Sequence, residues 1–374
     1  MSLFDPGLNP SAYYPGTLPP EWPGGYWIHW GVFVVIILAF VLLMAMGFIW
    51  LERREVGRFQ ARLGPNRVGP FGVLQPVADA IKVLTKEDII PAKGDKLVYW
   101  LAPVVAFVPA LMVFAVVPFQ DGALLADLNI GILYVVAISS VSVVGVFMAG
   151  WSSNNKYSLL GAMRAVSQVV SYEIPLGLSI LGVVVLTGSL SLNSIVEAQH
   201  IPFILLQPLG FLIYLAAAAA EINRTPFDLL EADSEIVAGF HTEYSGMKFA
   251  LFYLVEYCEV LAVSVIVTTL FLAGWKGPLL PPLLWFLIKV FGVFAVIVWV
   301  RATVPRLRVD QVMAFAWKCL LPLALINLLI TGIQVLVWPE ILPWAAVFLN
   351  LAIMVVLILL WSKFFKLGGG RVEV

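Results

Sequence analysis

GVFVVIILAFVLLMAMGFIWL, residues 31–51, contains no ionisable side chain. Twenty-one apolar residues wound as an α-helix are long enough to cross the roughly 30 Å hydrocarbon core of a bilayer. The run stops at Glu52-Arg53-Arg54-Glu55, where four charges follow in succession. Similar blocks recur at about 98–118, 131–150, 165–187, 203–220, 249–273, 282–300, 319–338 and 342–362. The fourth is interrupted by Gln168, Ser171 and Glu173. Composition agrees: 61% of the 374 residues are hydrophobic and only 12% charged, about half the charge of an ordinary soluble chain. The pattern predicts an all-α polytopic membrane protein with nine transmembrane helices; a soluble globule and a β-barrel both fail on run length.

Charge placement predicts the orientation. If loops alternate sides across nine spans, twenty of the 22 lysines and arginines fall on one side. Lys276 alone falls on the other, and Lys289 lies within the seventh span. The positive-inside rule then puts the N-terminus outside and the C-terminus in the cytoplasm. Residues 1–30 form an extracytoplasmic segment rich in Pro and Gly; 1–29 lack any Lys or Arg, so no basic signal-peptide region is read there. The longest inner loop, 52–96, carries Leu74, Val77, Ala78, Ile81 and Leu84 at helical spacing, opposite Gln75, Asp79, Lys82 and Lys86. This predicts an amphipathic helix lying on the membrane surface.

Three polar features need a reason. EINRTPFDLLEADSEIVAGFHTEYSG, residues 221–246, sets Glu221, Asp228, Glu231, Asp233, Glu235 and Glu243 against a single strong base, Arg224, on the side where bases otherwise dominate. Its Phe227, Leu229, Leu230, Ile236, Val237 and Phe240 argue for burial, and mutually repelling buried carboxylates retain protons to higher pH. A solvated acidic loop is the plain alternative. Secondly, Glu173, Glu256, Glu259 and Lys289 lie within spans, where each carboxylate costs about 2.5–3.5 kcal/mol on insertion scales. They form either a buried polar path continuing from the acidic loop or structural pairs, such as Lys289 with Glu256 or Glu259. Thirdly, the basic stretches 52–67 and 301–310 suit lipid headgroups or a docked soluble partner. Cys258 and Cys319 are isolated, and there is no CxxC, HExxH, GxGxxG or P-loop, so no metal, flavin, iron–sulfur or nucleotide site is expected on this chain.

Four stretches, ERREVGRFQARLGPNRVGPFGVLQPVADAIKVLTKED (52–88), GWSSNNKYSLLGAMRAVSQVVSYE (150–173), EINRTPFDLLEADSEIVAGFHTEYSGMKFALFYLVEY (221–257) and RATVPRLRVDQ (301–311), together resemble the H-type membrane subunits of proton-pumping NADH:quinone oxidoreductase, respiratory complex I. The resemblance runs from about residue 30 to 338. It implies one subunit of a translocase, inactive alone, in the bacterial inner (plasma) membrane. Such a subunit forms the entry chamber for a quinone substrate, ubiquinone or menaquinone. Its implied partners are the hydrophilic subunits of the quinone site and terminal iron–sulfur cluster, small membrane subunits and lipids, without nucleic acid. No catalytic group is implied on this chain. Carried over, the chamber wall includes Glu52, Arg53, Arg62, Asp79 and Arg301, and the proton axis Glu173, Glu221, Glu231, Asp233, Glu235, Glu243 and Glu256. Asp228 and Glu259 join that axis on the residue reading above.

The chain departs from the family pattern in three places. DLLEAD at 228–233 replaces DLPEAE, and Ser140 stands where some relatives carry a glutamate. The ninth span, with the tail from 339 to 374, adds to an eight-span core of 31–338. The alternative reading is the related membrane anchor of an energy-converting hydrogenase or a ferredoxin/F420-type oxidoreductase, which shares the HTEYSG region. A secondary transporter would call for inverted repeats, and none is found.

Overall fold

The computed structural model describes residues 26–120, 124–230, 236–337 and 343–364. Thirteen α-helices among the described residues are named in chain order. They are α1 (Tyr26–Phe59), α2 (Gln75–Leu84), α3 (Lys96–Met112), α4 (Gly131–Ser152), α5 (Lys156–Thr187), α6 (Leu192–Ala198) and α7 (Phe203–Leu206). They continue with α8 (Pro208–Glu221), α9 (Gly246–Phe271), α10 (Pro282–Thr303), α11 (Val309–Phe315), α12 (Leu321–Val337) and α13 (Pro343–Phe364). No β-strand occurs among the described residues. Eight helices are long and apolar enough to cross a membrane, and α8 is a shorter apolar helix. A π-helical turn at Ala316–Leu320 joins α11 and α12 into one such helix.

The eight and the short one account for the nine apolar blocks, with one revision. The fifth block is broken: α7 ends at Leu206, and Gln207 turns the chain into Pro208 at the start of α8. Proline lacks the N–H that would continue the ladder and disfavours helical geometry in the residue before it. The ends also move. α1 runs past the apolar block to Phe59, and α5 begins at Lys156, nine residues before its block. Asn155 starts α5 by accepting from the Tyr157 amide at 3.0 Å.

α9 is the centre of the bundle, with 67% of its apolar window buried. α13 is peripheral, with 6% buried. Phe48 of α1 stacks on Phe294 of α10 at 3.9 Å between ring centres. Tyr99 of α3 stacks on Tyr244, just before α9, at 4.1 Å. Burial pushes the Tyr244 hydroxyl up to about 12, against the lowering hydrogen bond with Ser152, so it stays neutral. α2 lies as expected of a surface helix: Val77, Ile81 and Leu84 remain exposed, while Asp79 faces α1.

Lys289 is held by backbone rather than by Glu256 or Glu259. Its amine donates to the carbonyls of Leu272, Gly274 and Lys276 at 2.7, 2.8 and 2.7 Å. These carbonyls follow the end of α9, where unbonded backbone oxygens and the negative end of the helix dipole favour a cation.

Candidate functional site

The C-terminal part of α1 carries Glu52, Arg53 and Val56 to one wall of a cavity of about 570 Å³. The loop Arg62–Pro65 supplies a second wall, Tyr253 and Tyr257 of α9 a third, and Arg301 of α10 the rest. The loop is held against α1 by Arg54, whose guanidinium lies 5.3 Å from the Trp50 ring and 5.4 Å from the Phe71 ring. Trp50 and Arg54 each donate to the Phe71 carbonyl at 3.2 Å. Asp79 does not line the cavity but positions a residue that does: Arg53 donates to it at 2.5 Å, and Gln75 donates to its other oxygen at 3.2 Å. Burial pushes the Asp79 carboxyl up, but the bonds from Arg53 and Gln75 outweigh it and hold the group below its ordinary value.

Glu52, 5% exposed, ends the cavity and accepts from two arginines, Arg224 at 3.1 Å and Arg301. Arg224, 3% exposed, also reaches Glu256 through Nε at 3.2 Å and lies 4.7 Å over the Tyr257 ring. Glu52, Glu256, Arg224 and Arg301 thus form a cluster whose formal charges cancel, with Glu52 and Arg224 buried and Glu256 and Arg301 partly exposed. Burial alone would push the Arg224 guanidinium down, but Glu256 and Glu52 reverse that and hold it above the ordinary arginine range. It remains a fixed positive charge.

Two smaller cavities lie alongside. The first, about 60 Å³, is lined by Asn223, Asp228, His241, Tyr253, Glu256, Glu259 and Ser142. The second, about 50 Å³, is lined by Ser139, Ser142, Tyr214, Glu221 and Glu259. Since a water occupies at least about 10–15 Å³ of such space, each has room for several. Tyr253 borders both the large cavity and the first small one; Glu259 and Ser142 border both small ones. Shared lining residues thus place the three cavities side by side, from the arginine-lined one to the one that reaches Glu221, whose lining is otherwise mostly apolar.

The loop after α8 is held by Gln168 of α5, whose amide nitrogen faces the Ala220 carbonyl at 2.8 Å, Asn223 Oδ1 at 3.2 Å and the Phe227 carbonyl at 2.9 Å. Further on, Gly239 has φ +65°, and a Cβ there would fall 1.9 Å from the Leu230 oxygen. Only glycine fits.

The sequence-derived residues separate by location. Glu52, Arg53, Arg62 and Arg301 share the large cavity; Asp228, Glu256, Glu259 and Glu221 share the small ones. Asp228 also accepts from Arg306 at 2.8 Å. Glu173 is half-buried on α5 and borders neither small cavity. Glu243 stands apart, accepting from Asn155 at 2.7 Å. Glu231, Asp233 and Glu235 lie outside the described residues. Sequence reasoning passed over Tyr253 and Tyr257, although their spacing of four places them on one helical face. It also noted Arg224 only as an isolated base. Among the described residues, no three His, Cys, Asp or Glu side chains come together to hold a metal.

The fold and site define a polytopic helical membrane protein in which a wide charged cavity adjoins two smaller ones bordered by Asp228, Glu256, Glu259 and Glu221. Residues 32–332 match the NADH dehydrogenase family, and the chain belongs to that family. It is 68% identical over 349 residues to the H subunit of the NADH-quinone oxidoreductase of Dehalococcoides mccartyi strain CBDB1, covering 93% of this chain and 99% of that protein. It is 51% identical to the second H-type subunit of this oxidoreductase in Syntrophobacter fumaroxidans, over 81% of this chain and 95% of that protein. The corresponding second H-type protein of Geobacter sulfurreducens is 50% identical, over 82% and 95%. The family match stops before α13.

Proposed function

We propose that this chain is the membrane subunit of a proton-translocating NADH–quinone oxidoreductase that receives the quinone and couples its reduction to proton movement. The observation that carries this is that Tyr253 borders both the large cavity and the first small one, while Glu259 and Ser142 border both small ones. The large cavity combines apolar lining from Val56, Leu63 and Pro65 with Arg53, Arg62 and Arg301, which suits a quinone's isoprenoid tail and its two carbonyl acceptors. Reduction adds two electrons and two protons to the quinone, and the redox centres that supply the electrons belong to hydrophilic partner subunits. Negative charge arriving on the quinone competes with Glu52 for Arg301. Glu52 then draws more heavily on Arg224, whose hold on Glu256 weakens. A carboxylate that loses its cation takes up a proton more readily, and water in the two small cavities passes it on through Glu259 to Glu221.

In this reading the chain sits in the bacterial plasma membrane with its N-terminus outside and its C-terminus in the cytoplasm. Residues 31–338 form the working core, 1–30 an outer segment, and 339–374 an added helix and tail. Hydrophilic subunits cover the basic side, and small membrane subunits and lipid surround the bundle. Glu173 and Glu243 belong to the same acidic axis, and Glu231, Asp233 and Glu235, outside the described residues, are assigned to it by the sequence resemblance alone. The test is Glu221→Ala or Glu235→Ala in the intact complex. Electron transfer from NADH to an artificial acceptor stays at the wild-type rate, while quinone-coupled proton pumping falls about tenfold or more. Wild-type pumping in both variants overturns the proposal.

A further inference from the structure

The break in the fifth apolar block leaves Gln207 between α7 and α8, only 3% exposed. Its amide nitrogen donates to the Gly182 carbonyl of α5 at 3.0 Å and to the Thr331 hydroxyl of α12 at 3.1 Å. That hydroxyl donates in turn to the Asn327 carbonyl at 2.8 Å. A backbone carbonyl accepts only from the NH₂ end of an amide, so these bonds fix which way Gln207 points. Its oxygen takes no part in those bonds and has no hydrogen-bond partner. Asn327, 8% exposed, has an equally unpartnered Nδ2. Both atoms converge on one place: a Cβ added at Gly210 would lie 3.2 Å from each. They are therefore no more than twice that distance apart, within the span of one bridging molecule.

An orphaned acceptor and an orphaned donor, each buried in an apolar bundle, both destabilise the fold unless something bonds them. The molecule that relieves both must donate to one and accept from the other. A cation is repelled by the Asn327 NH₂, an anion by the Gln207 oxygen, and no ionisable side chain takes part in the node. We propose that one ordered water molecule is bound here, bridging Gln207 Oε1 and Asn327 Nδ2 over the bare face of Gly210. The same break is closed on its other side by protein: Asn350 of α13 donates to the Leu206 carbonyl at 2.7 Å and accepts from Gln334 at 2.6 Å. The water completes the junction of α5, α8 and α12, and so anchors the end of α8 opposite Glu221. This inference is independent of the quinone reading.

The test uses the full-length chain in the assembly with which it purifies. A map resolving ordered water shows one non-protein peak within hydrogen-bonding distance of both atoms. An absent peak, or a direct bond between the two amides, overturns the proposal. Gly210→Ala supplies a second measurement. Its methyl, 3.2 Å from both amide atoms, takes the water's place. The peak disappears from the variant's map and the thermal midpoint falls, against the gain in helix propensity. A midpoint that holds or rises overturns the proposal.

Discussion

Arg224→Met is the sharpest probe of the charge cluster. Arg224 is 3% exposed and bonds Glu52 at 3.1 Å and Glu256 at 3.2 Å. At an effective dielectric of about 20, each contact corresponds to about 5 kcal/mol of Coulomb attraction, before the cost of removing three charges from water is subtracted. Truncating one partner of a buried ion pair costs about 3–5 kcal/mol, chiefly because the other charge is left behind. Here Glu52 retains Arg301, while Glu256 loses its Arg224 contact. Arg224→Met lowers the stability of the chain by about that 3–5 kcal/mol, read as its earlier thermal dissociation from the complex, and quinone reduction falls while transfer to an artificial acceptor persists. Adding Glu256→Gln removes the carboxylate that lost its cation and returns about 1–3 kcal/mol, a coupling that a double-mutant cycle measures directly. Wild-type stability in Arg224→Met, or strictly additive losses in the double variant, refutes the cluster as the organising contact.

Asp79→Asn loosens Arg53 at the cavity wall and raises the quinone KM by about two- to fivefold, the scale of a partly exposed pair worth about 0.5–1 kcal/mol. Because the folded Asp79 carboxyl lies below its ordinary value of 3.8, its contribution is fully present above that pH and is lost only as pH falls through the depressed folded value. The variant's defect is accordingly constant from about pH 6 to 8 in a KM titration and disappears only in strong acid. Gly161→Ala sets a methyl 2.9 Å from the Gly239 backbone, where nothing flexible can yield; the midpoint drops by the equivalent of about 1–3 kcal/mol. Asn350→Leu leaves the Leu206 carbonyl without the amide that covers it, costs about 1–2 kcal/mol and makes α13 easier to remove by limited proteolysis.

Run length alone located every long helix, because a backbone in hydrocarbon must satisfy its own hydrogen bonds and a span must be about 20 residues long. The break at Gln207 was marked by Pro208, but an apolar tally does not register one missing N–H. Four residues that the motif resemblance named, Glu52, Arg53, Arg62 and Arg301, line one cavity. The resemblance did not reveal that Asp79 acts through Arg53, since that requires knowing how α2 lies on α1. Nothing sets Tyr253 and Tyr257 apart in the sequence until the neighbouring helices are in place. Lys289 shows a firmer limit: its acceptors are backbone carbonyls 13 to 17 residues earlier, and every residue has a carbonyl. Glu243 belongs by sequence to the acidic loop, yet its partner Asn155 comes from the turn between α4 and α5.

Tyr253, Glu256, Tyr257 and Glu259 all ride on α9. Groups that share one rigid helix cannot move one at a time. A rotation of α9 about its axis by about 20° would sweep each side-chain tip through about 2 Å. That exceeds the tolerance of the 3.2 Å contact between Glu256 and Arg224, and it alters at the same moment how Glu259 divides the two small cavities. Mechanically, α9 is a camshaft: contacts at the mouth and in the membrane interior are timed together because they are cut on the same rod.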